Sequence, residues 1–493
     1  MDGWRNAGAE ETLDPGDWEP VRALSHRIMD DAIDHLRDVR DRPVWREIRR
    51  GVRAAFDAPL PRAPLPLADV YREVAETVMA YPMGNVHPRF WSWYMGAGNF
   101  TGALADFLAA VQGSNLGGGN HAAASMDRQV VDWCRQMVGF PVGAGGSLVS
   151  GGSMANLIAL AVARNVKAGI DVREQGVAAL PQPLVFYASD QAHSCHRKAV
   201  EALGHGNQAL RRVATGADLR MDVDALRSAV AEDRAAGRLP AVVIATAGTV
   251  NTGAVDDLRA IADVAVAEEL WLHIDGCIGA LIAIAPANAH RVTGLERADS
   301  IALDPHKWLH APFEAGCVLV RDQAVHRAAF AVTPEYLETT PRGLAAAEWL
   351  YDYGLQTTRG FRALKIWMAL KQHGVEAFGR LIDQNIAQAR YLAELIAVEP
   401  ALELTAPVEI NIVCFRYRAD GLARPALKAL NIEIMLRLQE QGTAALSDTT
   451  VYDEHCLRVA IANHRTRRED LALLVQECVR IGREVSEEPC PVS

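Results

Sequence analysis

The stretch AVVIATAGTVNTGAVDDLRAIADVAVAEELWLHID, Ala241 to Asp275, decides the fold. It opens on an apolar run, Ala241 to Thr246, and closes on another, Leu270 to Asp275, each ending in a polar residue. Between them, Asp257 to Glu269 repeats its apolar residues at helical spacing. The two strand ends lie about 30 residues apart, the length of one βαβ unit, whose strands run parallel. Runs that are apolar without alternation are buried on both faces, so helices must cover each side of the sheet.

Working outward, Ser147 to Ser150, Leu184 to Ala188, Ser300 to Leu303 and Cys317 to Arg321 are further strand candidates, with helical stretches filling most of the gaps. The expected class is α/β, with a mostly parallel sheet and helices on both faces. After Arg359 comes a long helical run. Glu409 to Tyr417 and Cys456 to Ala462 then read as strands, and Leu471 to Val485 as an amphipathic helix, which predicts a small C-terminal α+β domain. Upstream, Val21, Leu24, Ile28, Ile33 and Leu36 recur at helical spacing, and the proline-rich stretch Pro59 to Pro66 interrupts the pattern. Such an arm has too little apolar surface to fold alone, so it is expected to pack on a second subunit as a homodimer. The expected division is an arm over 1–90, a large domain over 91–370 and a small one over 371–493.

Composition narrows the function. The chain has 493 residues, 50 Lys plus Arg against 61 Asp plus Glu, a net charge of -11, and half its residues are apolar. A chain of this size buries a large core and needs no disulfide or metal for stability. Without a basic block it lacks the electrostatic grip for nucleic acid or an anionic membrane, so a small-molecule partner is expected. The N-terminus does not read as a secretory signal, and the longest uncharged run, Gln136 to Ala163, is too rich in glycine for a membrane span. The eight cysteines form no CxxC pair, as expected of reduced packing residues in a cytoplasmic protein.

In a parallel sheet the ligand site lies beyond the carboxyl ends of the strands. The first strand runs into Ser150-Gly151-Gly152-Ser153 and then a helical pattern. Glycines there admit an anion to the helix N-terminus; the same residues read equally as a tight capped turn, or as a nucleophile elbow with Ser153 attacking. The second strand leads to His193, Cys195 and His196. Each is a possible metal ligand, but no second Cys/His pair or HExxH follows, so no metal site is expected; an imidazole there can also lie flat on an aromatic ring. Asp275 ends its strand among Ile274, Cys277 and Ile278, where a carboxylate requires a cationic partner: an arginine, or a cationic heterocycle in the pocket. Only six residues are lysines, and Lys307, in Asp304-Pro305-His306-Lys307-Trp308, sits just past a strand between apolar stretches. Burial there favours the neutral, nucleophilic amine that Schiff-base formation needs. Lys365 reads instead as a helix residue with a solvated head.

Together these segments resemble the group II pyridoxal-phosphate decarboxylases, the family containing aromatic L-amino acid decarboxylase. The resemblance extends from HPRFWSWY (His87 to Tyr94) through SGGS, QAHSC, TAGT (Thr246 to Thr249), HID and DPHKW to TPEYL (Thr333 to Leu337) and RGFRALKIW (Arg359 to Trp367). It implies a fold-type I, aspartate aminotransferase-like enzyme that binds pyridoxal 5'-phosphate and decarboxylates an L-amino acid. In that reading Lys307 carries the cofactor, Asp275 pairs with its ring nitrogen and His193 stacks on the ring. Gly152 and Ser153 hold the phosphate, with Thr246 beside the ring and His306 near the imine. Tyr336 matches the tyrosine that protonates Cα in the family, where related aldehyde synthases typically carry Phe. Arg359 matches an active-site arginine, although a phosphate contact or a structural ion pair fits it nearly as well.

Asp304 departs from the Asn usual in aromatic amino acid decarboxylases, and a carboxylate there repels a phosphate unless it is turned away. Trp91, Trp93 and Tyr94 are expected to wall the pocket, which suits an aromatic substrate. Glycines in Asn115 to His121, where aromatic-specific relatives are bulkier, leave a polar or aliphatic one open. The alternatives are oxidative formation of an aldehyde at the same site, or a serine hydrolase using Ser153.

Overall fold

In the computed structural model, which describes residues 12–332 and 339–487, seven strands form the main sheet. They are β1 (Gly145–Val149), β2 (Leu184–Ser189), β3 (Leu210–Val213), β4 (Leu239–Thr246), β5 (Trp271–Asp275), β6 (Ser300–Leu303) and β7 (Gly316–Val320). Their order is β1-β7-β6-β5-β4-β2-β3. Strands β3, β2, β4, β5 and β6 pair parallel, and β7 alone runs against both its neighbours.

Strand alternation shows why both faces need cover. Val185, Tyr187, Val243 and Ala245 join one buried cluster with the helices Ala122–Met137, Val223–Ala235 and Leu258–Ala267. Leu184, Phe186, Ala188, Val242 and Ile244 point the other way, onto helix Gly152–Lys167. That helix is alanine-rich and buried over most of its surface, so it lies close against the sheet and its N-terminus is fixed at the end of β1. At roughly 25 cal/mol per Å² of apolar surface, these two layers dominate the stability of the fold.

The edge strand β3 was not legible as a strand. It reads Leu-Arg-Arg-Val, and an edge needs no continuous apolar run; Arg211 turns outward to Asp233 and Glu232. The second sheet, β10-β11-β9-β8, is antiparallel and comprises β8 (Leu402–Leu404), β9 (Ile412–Tyr417), β10 (Ser447–Val451) and β11 (Glu454–Ala460). It packs with helices Val375–Val398, Arg424–Glu440 and Arg468–Glu487 around Val413, Phe415, Leu457 and Val459.

At the other end of the chain the helices Trp18–Arg37, Arg50–Ala55 and Leu67–Val74 contain no buried residue, and Trp18, Phe56, Leu60, Leu65 and Leu67 are exposed. The seven described cysteines are buried and unbonded. No helix among the described residues is long and apolar enough to cross a membrane.

Two residues differ from expectation. Lys365 is not solvated: its ammonium lies 3.1 Å from Asp106 and donates to the carbonyl of Phe313, on the buried face of helix Ala363–His373. Trp91 is not in the pocket wall. It is 1 % exposed, packs into the core of the second sheet, and donates its indole N–H to Thr466.

Candidate active site

The segments after β1, β2, β4, β5 and β6 converge on one cavity of about 520 Å³. Gly151, Gly152, Ser153, His193, Thr246, Asp275, Asp304, His306 and Lys307 all line it, as do Trp93 and Tyr94.

At the end of β1, Ser150 to Ser153 turn into helix Gly152–Lys167, whose first N–H groups have no partner within the helix. A Cβ at Gly152 would come within 2.4 Å of Cys277 Sγ and 2.9 Å of Asp304 Oδ2, so only glycine lets the backbone lie this deep. The result is an anion cradle of bare N–H groups at the positive end of a helix.

Asp275 is 6 % exposed and accepts from two donors. His196 Nε2 lies 2.9 Å from Oδ2 and the backbone N–H of Cys277 lies 3.2 Å from Oδ1. Burial pushes its carboxyl up, but His196, the Cys277 N–H and the charge of Lys307 together hold it well below the usual carboxylate range. The partner foreseen as an arginine or a ring is, within the protein, a histidine that the sequence suggested only as a metal ligand. Cys195, His196 and Asp275 lie close enough together to ligate an ion. Their atoms are otherwise engaged, however: Asn156 donates to the Cys195 thiol at 3.4 Å, and burial pushes that thiol far above its ordinary value.

His193 stands on the exposed side of the cavity. Its Nδ1 accepts from the backbone N–H of Cys195 at 3.1 Å, which leaves the hydrogen on Nε2, and burial lowers its pKa. Thr246, at the end of β4, has a buried hydroxyl with no hydrogen-bond partner.

Lys307 places Nζ 3.0 Å from Asp304 Oδ2 and 5.6 Å from the ring centre of Tyr94. Burial lowers its pKa, but the charge and hydrogen bond of Asp304, with the charge of Asp275, raise it. The expected neutral amine is therefore corrected: in the protein alone Lys307 is a held ammonium. Asp304 is turned toward that ammonium with the same oxygen that lies against the Gly152 backbone, so the lysine offsets its charge beside the cradle. Its other oxygen is buried and unpartnered. His306 donates from Nδ1 to the carbonyl of Ala315 at 2.7 Å.

The wall is completed by Trp93 and Tyr94, both with left-handed backbone (φ 57° and 76°), a conformation costly for aromatic residues. The second sheet and the residue just before its strand β9 hold them: Ser447 accepts from the Trp93 N–H, and Asn411 donates to the Tyr94 hydroxyl. Phe313 and Glu314 also line the cavity and had no signal in the sequence. The glycines at 117–119 do not enlarge it. Added Cβ atoms would meet Thr357, the backbone of Trp349 and Leu350, and the carbonyl of Leu344, so this space is already filled by the same chain.

Two expectations are not met at the cavity. Arg359 lies elsewhere: it is 5 % exposed and donates to the carbonyls of Leu116 and Leu148 and to Ser147, 3.5 Å from Asp127, which is a structural role behind β1. Ser153 lacks hydrolase partners, because His306 faces Ala315, Asp275 faces His196 and Asp304 faces Lys307. Tyr336 lies outside the described residues.

An anion cradle, a buried carboxylate for a cationic ring nitrogen, an unpartnered hydroxyl and an amine on one cavity match the phosphate, pyridinium and aldehyde of pyridoxal 5'-phosphate. Residues 50–418 match the pyridoxal-dependent decarboxylase conserved domain. The chain is 33 % identical over 482 residues to an aromatic-L-amino-acid decarboxylase of Bacillus atrophaeus, covering 96 % of this chain and 98 % of that one. It is 25 % identical over 468 residues to a phenylacetaldehyde synthase of Petunia hybrida, covering 91 % of each. The crystal structure of Oryza sativa TDC with PLP and tryptamine superposes with a TM-score of 0.88 at 27 % identity, covering 96 % of this chain and 100 % of that one. The chain therefore belongs to the pyridoxal-dependent decarboxylases, and it is an amino acid decarboxylase that works with pyridoxal 5'-phosphate.

Proposed function

We propose that the chain converts an aromatic L-amino acid to the corresponding amine and CO2, as a cytoplasmic homodimer. One observation carries the substrate class: the cavity that holds Lys307 is also lined by Trp93 and Phe313, 58 % and 47 % exposed, and by the buried ring of Tyr94, 5.6 Å from the Lys307 ammonium. Flat apolar walls of this kind favour an aromatic side chain. The name of the bacterial relative, an aromatic-L-amino-acid decarboxylase, supports the same reading. The bare apolar residues of the arm supply a surface for a second copy. The arm is proposed to span 1–90, with the cofactor held by 91–370 and the remainder, 371–493, bracing the wall at Trp93 and Tyr94.

Bound pyridoxal 5'-phosphate supplies an electron sink for the pair left on Cα when CO2 departs. In the proposed assignment Gly152 and Ser153 would bind its phosphate through their N–H groups, Asp275 would keep its ring nitrogen protonated, and His193 and Thr246 would hold its ring. Lys307 would hold the cofactor through its ε-amine, and His306 closes the adjoining wall. Tyr336 returns a proton to Cα.

Reconstitution with cofactor, incubation with a pool of amino acids and identification of the amine by mass tests the substrate class; an amine from a polar or aliphatic amino acid alone would overturn it. The competing outcome consumes molecular oxygen and water and gives the aldehyde with CO2, ammonia and hydrogen peroxide. A Tyr336→Phe enzyme is expected to lose amine formation by about 100-fold, the scale of one positioned proton donor, and to gain peroxide. Unchanged amine formation in that variant would remove Tyr336 from the proposal.

Asp304→Asn tests the lysine's charge state. Without the carboxylate at 3.0 Å, the largest influence raising the pKa of Lys307 is gone and that pKa falls. At neutral pH the variant is expected to capture the cofactor about tenfold faster in a stopped-flow absorbance experiment, because a tenfold larger fraction of neutral amine corresponds to one pK unit.

A further inference from the structure

The carboxylate of Asp275 is held from the side away from the cavity by a single side chain. His196 belongs to helix Cys195–Ala202, its side chain is fully buried, and its Nε2 lies 2.9 Å from Asp275 Oδ2. A carboxylate only accepts, so Nε2 carries the hydrogen. Nδ1 is buried with no hydrogen-bond partner. An N–H there would be stranded without an acceptor, so the geometry favours the hydrogen on Nε2.

The other polar groups packed around this pair are committed elsewhere. His273 bonds Ser300 at 2.9 Å and Asn156 at 2.6 Å, and Asn156 in turn donates to the thiols of Cys195 and Cys277. His193 accepts from the Cys195 N–H, and Lys307 faces Asp304. His196 thus has one hydrogen-bonding partner for its ring among the described residues, and any chemical effect it has passes through Asp275.

We propose that His196 is a positioning residue: with the Cys277 N–H it clamps both oxygens of Asp275 and keeps that carboxylate ionised toward the ring nitrogen of the cofactor. This rests on the assignment of Asp275 to the ring nitrogen. Without the imidazole donor a carboxyl this deeply buried takes up a proton more readily, and a neutral acid no longer answers a cationic ring.

The test is cofactor affinity, measured by absorbance titration of the apoenzyme across pH. His196→Leu is expected to weaken pyridoxal 5'-phosphate binding about tenfold, a deficit that deepens as pH is lowered from about 8 to about 6 and Asp275 protonates. His196→Gln, whose amide N–H can reach the position of Nε2, should recover most of the loss. Wild-type affinity in the Leu variant, with no added pH dependence, overturns the proposal; so does an equal, pH-independent loss in the Leu and Gln variants, which would mark a packing role.

If the Leu variant does not fold, histidine-labelled wild-type holoenzyme decides by nitrogen NMR. An Nε2–H tautomer at His196 upholds the clamp, and an Nδ1–H tautomer overturns it. Asp275→Asn separates the two assumptions: if that change leaves cofactor affinity untouched, the ring-nitrogen assignment falls first.

Discussion

Lys307→Ala is expected to reduce amine formation by on the order of 10³-fold or more, and to eliminate the borohydride-sensitive visible band of the reconstituted enzyme. Among the described residues Lys307 is the one lysine lining the cavity, and Lys365, for instance, is held by Asp106. A second effect accompanies the first. Asp304 is 2 % exposed and loses the ammonium 3.0 Å away, so a buried carboxylate is left without its partner. Breaking a buried pair from one side costs about 3 kcal/mol or more, so the apo variant should also unfold at lower denaturant concentration. The pKa of Lys307 is raised in the folded protein, so the stabilisation it lends is complete below its ordinary value of 10.5 and fades only as pH rises through the raised one. The stability deficit should therefore be flat through neutral pH. Lys307→Ala combined with Asp304→Asn should regain stability without regaining activity. Recovery of both together would mean that Lys307 serves the fold alone.

The strand ends were legible because burial on two faces leaves a continuous apolar run that stops abruptly at a polar residue. Thr246 and Asp275 end β4 and β5 as the sequence indicated, and Lys307 follows β6. Where that physical signature is absent, so was the element. Strands β3 and β10 lie at sheet edges and carry charged or polar residues, and β8 is only three residues long. Side-chain partners were less legible than backbone. Nothing along the chain links His196 to Asp275, 79 positions away, although a buried carboxylate guaranteed that some donor would meet it. Lys365 misled for a related reason: its amphipathic helix has a polar residue on the buried face, which only the neighbouring Asp106 and the Phe313 carbonyl explain. The charge of Lys307 is not legible from burial, because it is set by Asp304 and Asp275, carboxylates that the fold brings to the same cavity. Arg359 satisfies backbone carbonyls around β1, a demand set by tertiary packing rather than by any local motif.

Asp275→Asn should lower turnover by on the order of 10³-fold while leaving the fold intact, because the change removes a charge and almost no volume. The amide cannot satisfy the site as the carboxylate does. Two donors, His196 Nε2–H and the Cys277 N–H, converge on two acceptor oxygens; an asparagine offers one acceptor and sets its own NH2 against one of those donors. If the amide nitrogen faces His196, that clash can be relieved by moving the imidazole hydrogen to Nδ1, where no partner waits. The cost to stability is about 1–3 kcal/mol, the usual cost of an unsatisfied buried group. The larger effect is on charge. Asp275 is held ionised far below the ordinary carboxylate range, so in the wild-type enzyme it contributes a full negative charge at every pH above that range and loses it only in strong acid. Activity of the wild type should therefore show no titration from this group between about pH 5 and 9. The neutral variant has no such anchor for a protonated ring nitrogen, so its residual activity should fall as pH rises through neutrality. A variant with wild-type turnover and a wild-type pH profile would show that the carboxylate at the end of β5 does not face the cofactor ring. It would then leave a buried charge, a dedicated histidine and a backbone donor with no function to explain their convergence.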